Sequence, residues 1–433
     1  MIAEFKVQNF FSIRSEQTIS FVCSPDNFME EEYCVEIKKG IKILKMGIVY
    51  GANASGKSNL LQAMEFFRYM VCHIPKDRSS SISVVPFMLD DNSRKEHTRM
   101  SMTFYIQGEK YILQMEFDDT RFYEESLMVY TSSKGTTLYS RIYDKDTDSS
   151  IIGFSAKLGL LKKSKDVIVG NTLNNRSVIA AFSVSNVESS KLNDVYFYFS
   201  NHLPNVLEPN MMLSSYIKSK VDKDKDGSLK DFLLKLLKAS DFNIKNFELN
   251  KEEMPITTDM EKVIQSSPLS DGKKVQMMQK GTIMNSSLSF VHGTNEGEHD
   301  LPEEYESRGT IRFMGMSVIL KQLLEDENFV MMDEVESSIH YELLSYFLKV
   351  FLVNSNKKSQ LFMTTHDVNL LNEDFIRRDC VWFTEKNKSG ETIVKRLSGM
   401  GLHKNLSPYN AYKQGKLIDL PFLGSPYLSL NDN

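Results

Sequence analysis

The 433-residue sequence has no excess of basic charge: 52 lysines and arginines are set against 57 acidic residues, a formal net charge of −5. That excludes an overall electrostatic footprint for nucleic acid or an anionic membrane, so any such contact must be local. Glycine and proline are sparse, at 21 and 11 residues, which argues against collagen-like or low-complexity sequence. With 41% apolar and 25% charged residues, most of the chain is expected to fold. The four cysteines, Cys23, Cys34, Cys72 and Cys380, form neither a C-x-x-C pair nor a dense framework, as expected of thiols in a reducing compartment. No apolar run approaches the ~18 residues of a membrane helix. The N-terminus carries Glu4 and lacks a basic start followed by an apolar core. The expectation is a cytoplasmic protein, neither exported nor membrane-spanning, with two or three domains at this length.

What is present alternates between two periods. Ile2, Phe5, Val7, Ile13, Ile19 and Phe21 mark half-buried strands around a polar turn at Arg14 to Glu16, the pattern of a β-hairpin. Residues 43–50 form a mostly apolar run ending at Gly51, and Leu60, Leu61, Met64, Phe67 and Val71 then recur at helical spacing. The order is buried strand, glycine loop, helix. Between Arg99 and Tyr143, runs rich in β-branched and aromatic residues separated by polar turns predict an antiparallel meander. From about 151 to 245 the pattern turns helical, most clearly in Leu229, Phe232, Leu233, Leu236 and Leu237. Residues 246–290 return to short strands, and from 308 onward helices at 311–324 and 337–353 alternate with strands at 328–332 and 359–365. The fold class is α/β, a mixed sheet with N-terminal antiparallel strands and a parallel core. Segments 1–150 and 286–433 are expected to form two parts of one head, and 151–285 an inserted, largely helical lid.

Gly51-Ala-Asn53-Ala-Ser55-Gly56-Lys57-Ser58 satisfies G-x-x-x-x-G-K-[ST] in full, and its strand-loop-helix setting agrees with the pattern. The glycines let backbone N–H groups wrap a phosphate, the helix N-terminus adds its positive end, Lys57 neutralises β/γ oxygens, and Ser58 can hold Mg²⁺. Gly51 through Asn59 is the candidate nucleotide-binding segment. A second apolar run, Asn328 to Met332, closes on Asp333 and Glu334. Asp333 would stand at the carboxyl end of a buried strand and complete the Mg²⁺ shell. Glu334 is placed to orient or deprotonate the water attacking the γ-phosphate, so hydrolysis of ATP is expected as well as binding.

Glu306-Ser307-Arg308-Gly309-Thr310 sits just before an amphipathic helix. It reads either as a second anion-binding surface made by Ser307, the Gly309 backbone and the helix N-terminus, or as a plain N-cap. Further on, Leu361-Phe-Met-Thr-Thr-His366-Asp367 is a strand ending in histidine. Phosphate loop, serine-glycine signature, acidic strand end and late histidine together resemble the ATP-binding-cassette type of ATPase head. Within that class the opening Phe5-x-Val7-x-Asn9-Phe10-x-Ser12 resembles the SMC and RecF group. More narrowly, the chain is similar to the AAA-type ATP-binding proteins of bacterial abortive-infection and anti-phage modules, relatives of the ATPase half of overcoming-lysogenisation-defect nucleases. Pro86-Phe87, the stretch Leu237 to Ile244 and a late Tyr412 to Gly415 also carry the likeness, which spans nearly the whole chain.

The resemblance implies a homodimer or higher even-numbered oligomer, in which ATP held by Lys57, Ser58, Asp333 and Glu334 of one subunit is capped by Ser307 and Gly309 of the other. His366 would sense the γ-phosphate. The implied activity is slow ATP hydrolysis that controls a partner effector, a nuclease by preference, in anti-phage defence. The alternative is a RecF-like, ATP-dependent DNA-binding repair protein. Two positions depart from the pattern: Arg308 stands where the transporter signature has a glycine, and no glutamine appears in Ser83 to Asp90. Asp222 to Leu229 matches the first eight positions of a calcium loop, but position twelve is Leu233, so it reads as a charged loop before a helix. The aromatic run Tyr196 to Phe199 reads as core, and the clusters Lys162 to Lys165 and Lys218 to Lys225 as solvated faces. The scattered histidines compose no nuclease centre, which leaves any nuclease to another polypeptide.

Overall fold

A computed structural model describes residues 1–240, 242–267, 270–403 and 406–418. They divide into a larger unit, built from Met1–Pro209, Leu323–Ser337 and the described residues from Leu348 onward, and a smaller one, Asn210–Gln322 with Ser338–Phe347.

Among the described residues the larger unit carries a seven-stranded antiparallel sheet, in the order Ser149–Phe154, Thr136–Asp144, Phe122–Tyr130, Glu109–Phe117, Thr98–Ile106, Ile2–Gln8, Gln17–Ser20. The predicted hairpin and meander are thus one sheet, because Ile2–Gln8 pairs with Gln17–Ser20 on one side and Thr98–Ile106 on the other. In Thr98–Ile106 the buried Met100, Met102 and Phe104 alternate with the more open Arg99, Ser101 and Thr103, the signature of a sheet with one face on the core.

The second sheet runs Phe329–Met332, Gln360–Thr364, Met46–Gly51, Val381–Lys386, Thr392–Arg396. Its first four strands are parallel and the last is antiparallel. Every residue of the central Met46–Gly51 is buried, as a continuous apolar run predicts for a strand covered on both faces. The following helix, Lys57–Cys72, buries Leu60, Leu61, Met64, Phe67 and Val71, each contributing about 1.5–3 kcal/mol by removal from water. Gln360 staples the two sheets: its side chain accepts from Ile2 N–H (2.6 Å) and donates to Ile2 O (2.9 Å) and Leu44 O (3.0 Å).

The larger unit also takes in the helices Lys162–Asn171, Val178–Ser183 and Ser190–Asn201, a departure from boundaries at 150 and 285. The reason is packing. Phe199 closes on Phe67 and Phe104, and Tyr198 stacks on Phe104 with ring centroids 5.2 Å apart, so the aromatic run is core. Arg141, fully buried on the meander, donates to the carbonyls of Leu173, Asn174 and Arg176, while Glu125 accepts from Val178 N–H and Tyr139 Oη. These bonds tie the helices to the sheet, and Ser149–Phe154 extends the meander beyond residue 150.

The smaller unit holds an antiparallel sheet of Ile244–Pro255, Thr282–Thr294 and Gly297–Pro302. Two long strands replace the short ones expected over 246–290, joined by helices Thr258–Ser266 and Asp271–Lys280. From Asn250 to Glu253 the strand is polar and open on both faces, so no period-two apolar signal exists there. Asp224 and Asp226 accept from the backbone N–H groups of Lys230 and Ser228, at the start of helix Ser228–Ala239, consistent with a charged loop before a helix. Among the described residues no helix is long and apolar enough to cross a membrane.

Candidate functional site

Strand order decides how the distant motifs meet. Neighbouring strands lie about 4.8 Å apart, and Gln360–Thr364 lies between Phe329–Met332, which leads into Asp333, and Met46–Gly51, which leads into the glycine loop. Thr364 ends that middle strand and bridges outward. Its Oγ1 donates to Asp333 Oδ1 (2.5 Å) and accepts from Glu334 N–H (2.8 Å), while its carbonyl accepts from Val335 N–H (3.1 Å). From the other side Ser58 Oγ donates to Asp333 Oδ2 (2.7 Å). Both carboxylate oxygens of Asp333 are therefore fixed in direction.

The loop needs its glycines. Gly56 has φ of 100°, in the left-handed region, and a Cβ there would lie 2.1 Å from Thr392 Oγ1 and 2.8 Å from Ser12 Oγ. At Gly51 a Cβ would lie 2.3 Å from Thr384 Oγ1. These hydroxyls form a floor beneath the loop. Thr392 Oγ1 donates to Ser55 O (2.9 Å) and lies 2.7 Å from Ser12 Oγ, which also accepts from Asn59 Nδ2 (2.6 Å). Ser55 Oγ and Thr384 Oγ1 are 2.6 Å apart. The side chains of Ser55 and Asn59 are thus engaged with this floor, whereas Asn53 is exposed. Asn9, buried with φ of 53°, donates to the carbonyls of Ser93 and Glu96 and accepts from Phe87 N–H. It ties down the stretch where a glutamine is missing.

Lys57 is 5% exposed and donates to Gly51 O (3.0 Å) and Ala52 O (3.3 Å). Burial holds its pKa below the usual lysine value, against the opposing pull of Asp333, Glu334 and Glu336. Glu334 adopts a left-handed φ of 43°, a conformation that costs a residue with a Cβ about 1–3 kcal/mol. Its Oε1 stands 3.6 Å from His366 Nε2. Glu336 Oε1 accepts from the backbone N–H of His366 (2.6 Å).

These residues fit a magnesium nucleotide. Ser58 and Asp333 offer hard oxygen donors of the kind Mg²⁺ prefers. Lys57 and the N-terminus of Lys57–Cys72 offer positive charge to phosphate, and the glycines let the loop pack directly on its hydroxyl floor, where a Cβ would collide. Lys57, Ser58, Asp333, Glu334 and His366 all come together in the larger unit, whereas Ser307 and Gly309 belong to the smaller one. There Ser307 Oγ accepts from Thr310 N–H (3.0 Å) and lies 2.8 Å from Thr310 Oγ1, an N-cap for Arg308–Glu325. A Cβ on Gly309 would lie 3.0 Å from Ser338 O. Glu336, Thr384 and Thr392 stand in no motif, whereas Thr364 lies in the strand run that ends at His366. Glu336 lies two residues after Glu334, the one signal that could have found it.

A family model described as "AAA domain, putative AbiEii toxin, Type IV TA system" matches residues 48–372. Similar solved structures include the SMC head domain from Thermotoga maritima, at 13% identity and TM-score 0.41, covering 91% of this chain and 98% of that one. An SMC head bound to the C-winged helix domain of ScpA shares 10% identity at TM-score 0.45, over 91% of this chain and 97% of that one. An SMC head with an extended coiled coil, bound to the C-terminal domain of ScpA derived from Pyrococcus furiosus, shares 11% identity at TM-score 0.41, over 95% and 98%. No curated protein matches the chain.

Proposed function

The chain belongs to the AAA-domain family whose model spans residues 48–372, and from that premise we propose that it binds ATP with Mg²⁺ at Lys57, Ser58 and Asp333 and hydrolyses it slowly. The observation that carries this reading is the Ser58–Asp333 hydrogen bond of 2.7 Å beside the buried Lys57 ammonium. Magnesium held by Ser58 and Asp333 would supply positive charge to the phosphates. The protein's own part is positional. The loop N–H groups and Lys57 hold the phosphates, Thr364 and Ser58 aim the oxygens of Asp333, and Glu334 takes a proton from the attacking water. His366 stands against Glu334 and reports the γ-phosphate. Lys57→Ala tests the site: ATP affinity should fall at least tenfold, and unchanged affinity would refute the assignment.

In the working cycle two copies pair, and Ser307 with Gly309 of one caps the nucleotide held by the other. ATP can favour the paired state only through contacts made there and not in the separate chains, and the N-terminus of Arg308–Glu325 offers such contacts to phosphate. The cycle acts in the cytoplasm and controls a separate effector, a nuclease by preference, in anti-phage defence; the toxin-system wording of the family description supports that setting. Tagged Glu334→Gln protein, recovered from its native host, should bring down a stoichiometric effector. Recovery of DNA alone, with salt-sensitive and ATP-dependent binding, would replace this reading with a DNA clamp.

A further inference from the structure

Glu336 does something that its position three residues after Asp333 does not announce. The segment after Asp333 and the end of strand Gln360–Thr364 are laced together by Glu334 N–H to Thr364 Oγ1 and Val335 N–H to Thr364 O. His366 lies beyond the strand, and its backbone N–H is taken by a side chain, Glu336 Oε1, at 2.6 Å. The histidine is therefore bracketed by two carboxylates, Glu336 on its backbone and Glu334 at 3.6 Å from its ring. Among the described residues the second oxygen of Glu336 is buried with no hydrogen-bond partner, and a buried acceptor left unpaired is costly. Such a cost persists where the group serves the site. Glu336 also adds to the negative field felt by Lys57.

We propose that Glu336 is a positioning residue that sets His366 opposite Glu334, acting through the His366 backbone N–H. This rests on the reading of the site as an ATPase centre and deepens it. Glu336→Ala removes the acceptor, and kcat for ATP should fall about tenfold, the scale of one lost hydrogen bond, with KM for ATP unchanged. Glu336→Gln keeps an acceptor oxygen and should retain at least half the wild-type kcat. In a His366→Ala background, Glu336→Ala should cost nothing further, because the residue it positions is gone. A multiplicative loss in the double variant, or equal loss in Glu336→Gln and Glu336→Ala, would overturn the proposal. A separate readout needs no turnover: in protein carrying isotope-labelled histidine, the His366 ring resonances should shift in Glu336→Ala and hold in Glu336→Gln. Unmoved resonances in Glu336→Ala would refute the positioning role even if hydrolysis is observed. Absence of hydrolysis in the wild type would instead refute the ATPase reading and leave the resonance test standing.

Discussion

Ser58 Oγ donates a 2.7 Å hydrogen bond to Asp333 Oδ2, joining the first residues of the phosphate-loop helix to the end of a strand 275 residues away in sequence. Thr364, on the strand between, holds the other oxygen of the same carboxylate. The Asp333 carboxylate is thus oriented by two hydroxyls on two different elements, and this arrangement exists only because the parallel sheet places Gln360–Thr364 in the middle.

Thr364→Val tests that bridge with little change of shape. It removes the donor to Asp333 and leaves Glu334 N–H without its acceptor. A drop in kcat of tenfold or more is expected, with a stability loss of about 1 kcal/mol for the unpaired, part-buried N–H. Steady-state kinetics together with denaturant unfolding check both. Wild-type kcat would mean that Asp333 needs no such support.

Gly56→Ala should be far more damaging than its size suggests. The added methyl must adopt a left-handed φ and collide with Thr392 Oγ1, so ATP binding measured by calorimetry should be abolished. The backbone strain alone is about 1–3 kcal/mol. Substituting Thr392 by Ser in the same variant removes one of the crowding atoms, the methyl carbon 2.9 Å away, but not the hydroxyl, and should rescue little.

Away from the loop, Arg377 and Asp379 form a pair with 0% and 1% side-chain exposure. Burial pushes the Asp379 carboxyl up, but the Arg377 fork and the hydrogen bonds from Ser24 outweigh it and hold the group below its usual range. A depressed carboxylate stabilises the fold above its unfolded pKa of about 3.9, and that stabilisation is lost as pH falls through the folded value. Arg377→Met strands the carboxylate and should cost about 3–5 kcal/mol near neutral pH. The deficit should shrink below about pH 4, where Asp379 protonates in the unfolded chain too. Urea unfolding at several pH values measures it, and a deficit independent of pH would show that packing, not charge, is what Arg377 supplies.

Capping between copies has its own signature. Lys57→Ala and Ser307→Ala proteins should each be inactive alone, yet a mixture should recover hydrolysis. A mixed pair contains one site with an intact phosphate loop from the Ser307→Ala chain and an intact Ser307 from the Lys57→Ala chain. No recovery at concentrations where pairs form would confine Ser307 to its N-cap role, worth about 1 kcal/mol.

Candidate site residues were legible in the sequence where they sit on consecutive positions. Gly51 to Ser58 and Asp333-Glu334 announce themselves because a phosphate cradle and a strand-end carboxylate each need a fixed short spacing. The alternation of Ile2 to Phe21 and of Arg99 to Tyr143 likewise predicted strands that the structure joins into one sheet. Thr364, Thr384 and Thr392 were not legible, because a hydroxyl becomes part of the site only once strand order puts it beneath the loop or beside Asp333. The helices from Lys162 to Asn201 looked like an insertion for a similar reason. Their attachment depends on Arg141 and Glu125, two charged residues buried on the meander, where charge in sequence ordinarily signals solvent.

Glu334 is expected to draw the proton from water in a site that binds ATP without it. Phosphate release and ATP binding measured side by side on wild type and Glu334→Gln test it most directly. The expected result is slow release by the wild type, at least a hundredfold less by the variant, and ATP affinity in the variant equal to or tighter than wild type. Full hydrolysis by Glu334→Gln, or loss of ATP binding along with hydrolysis, would contradict it.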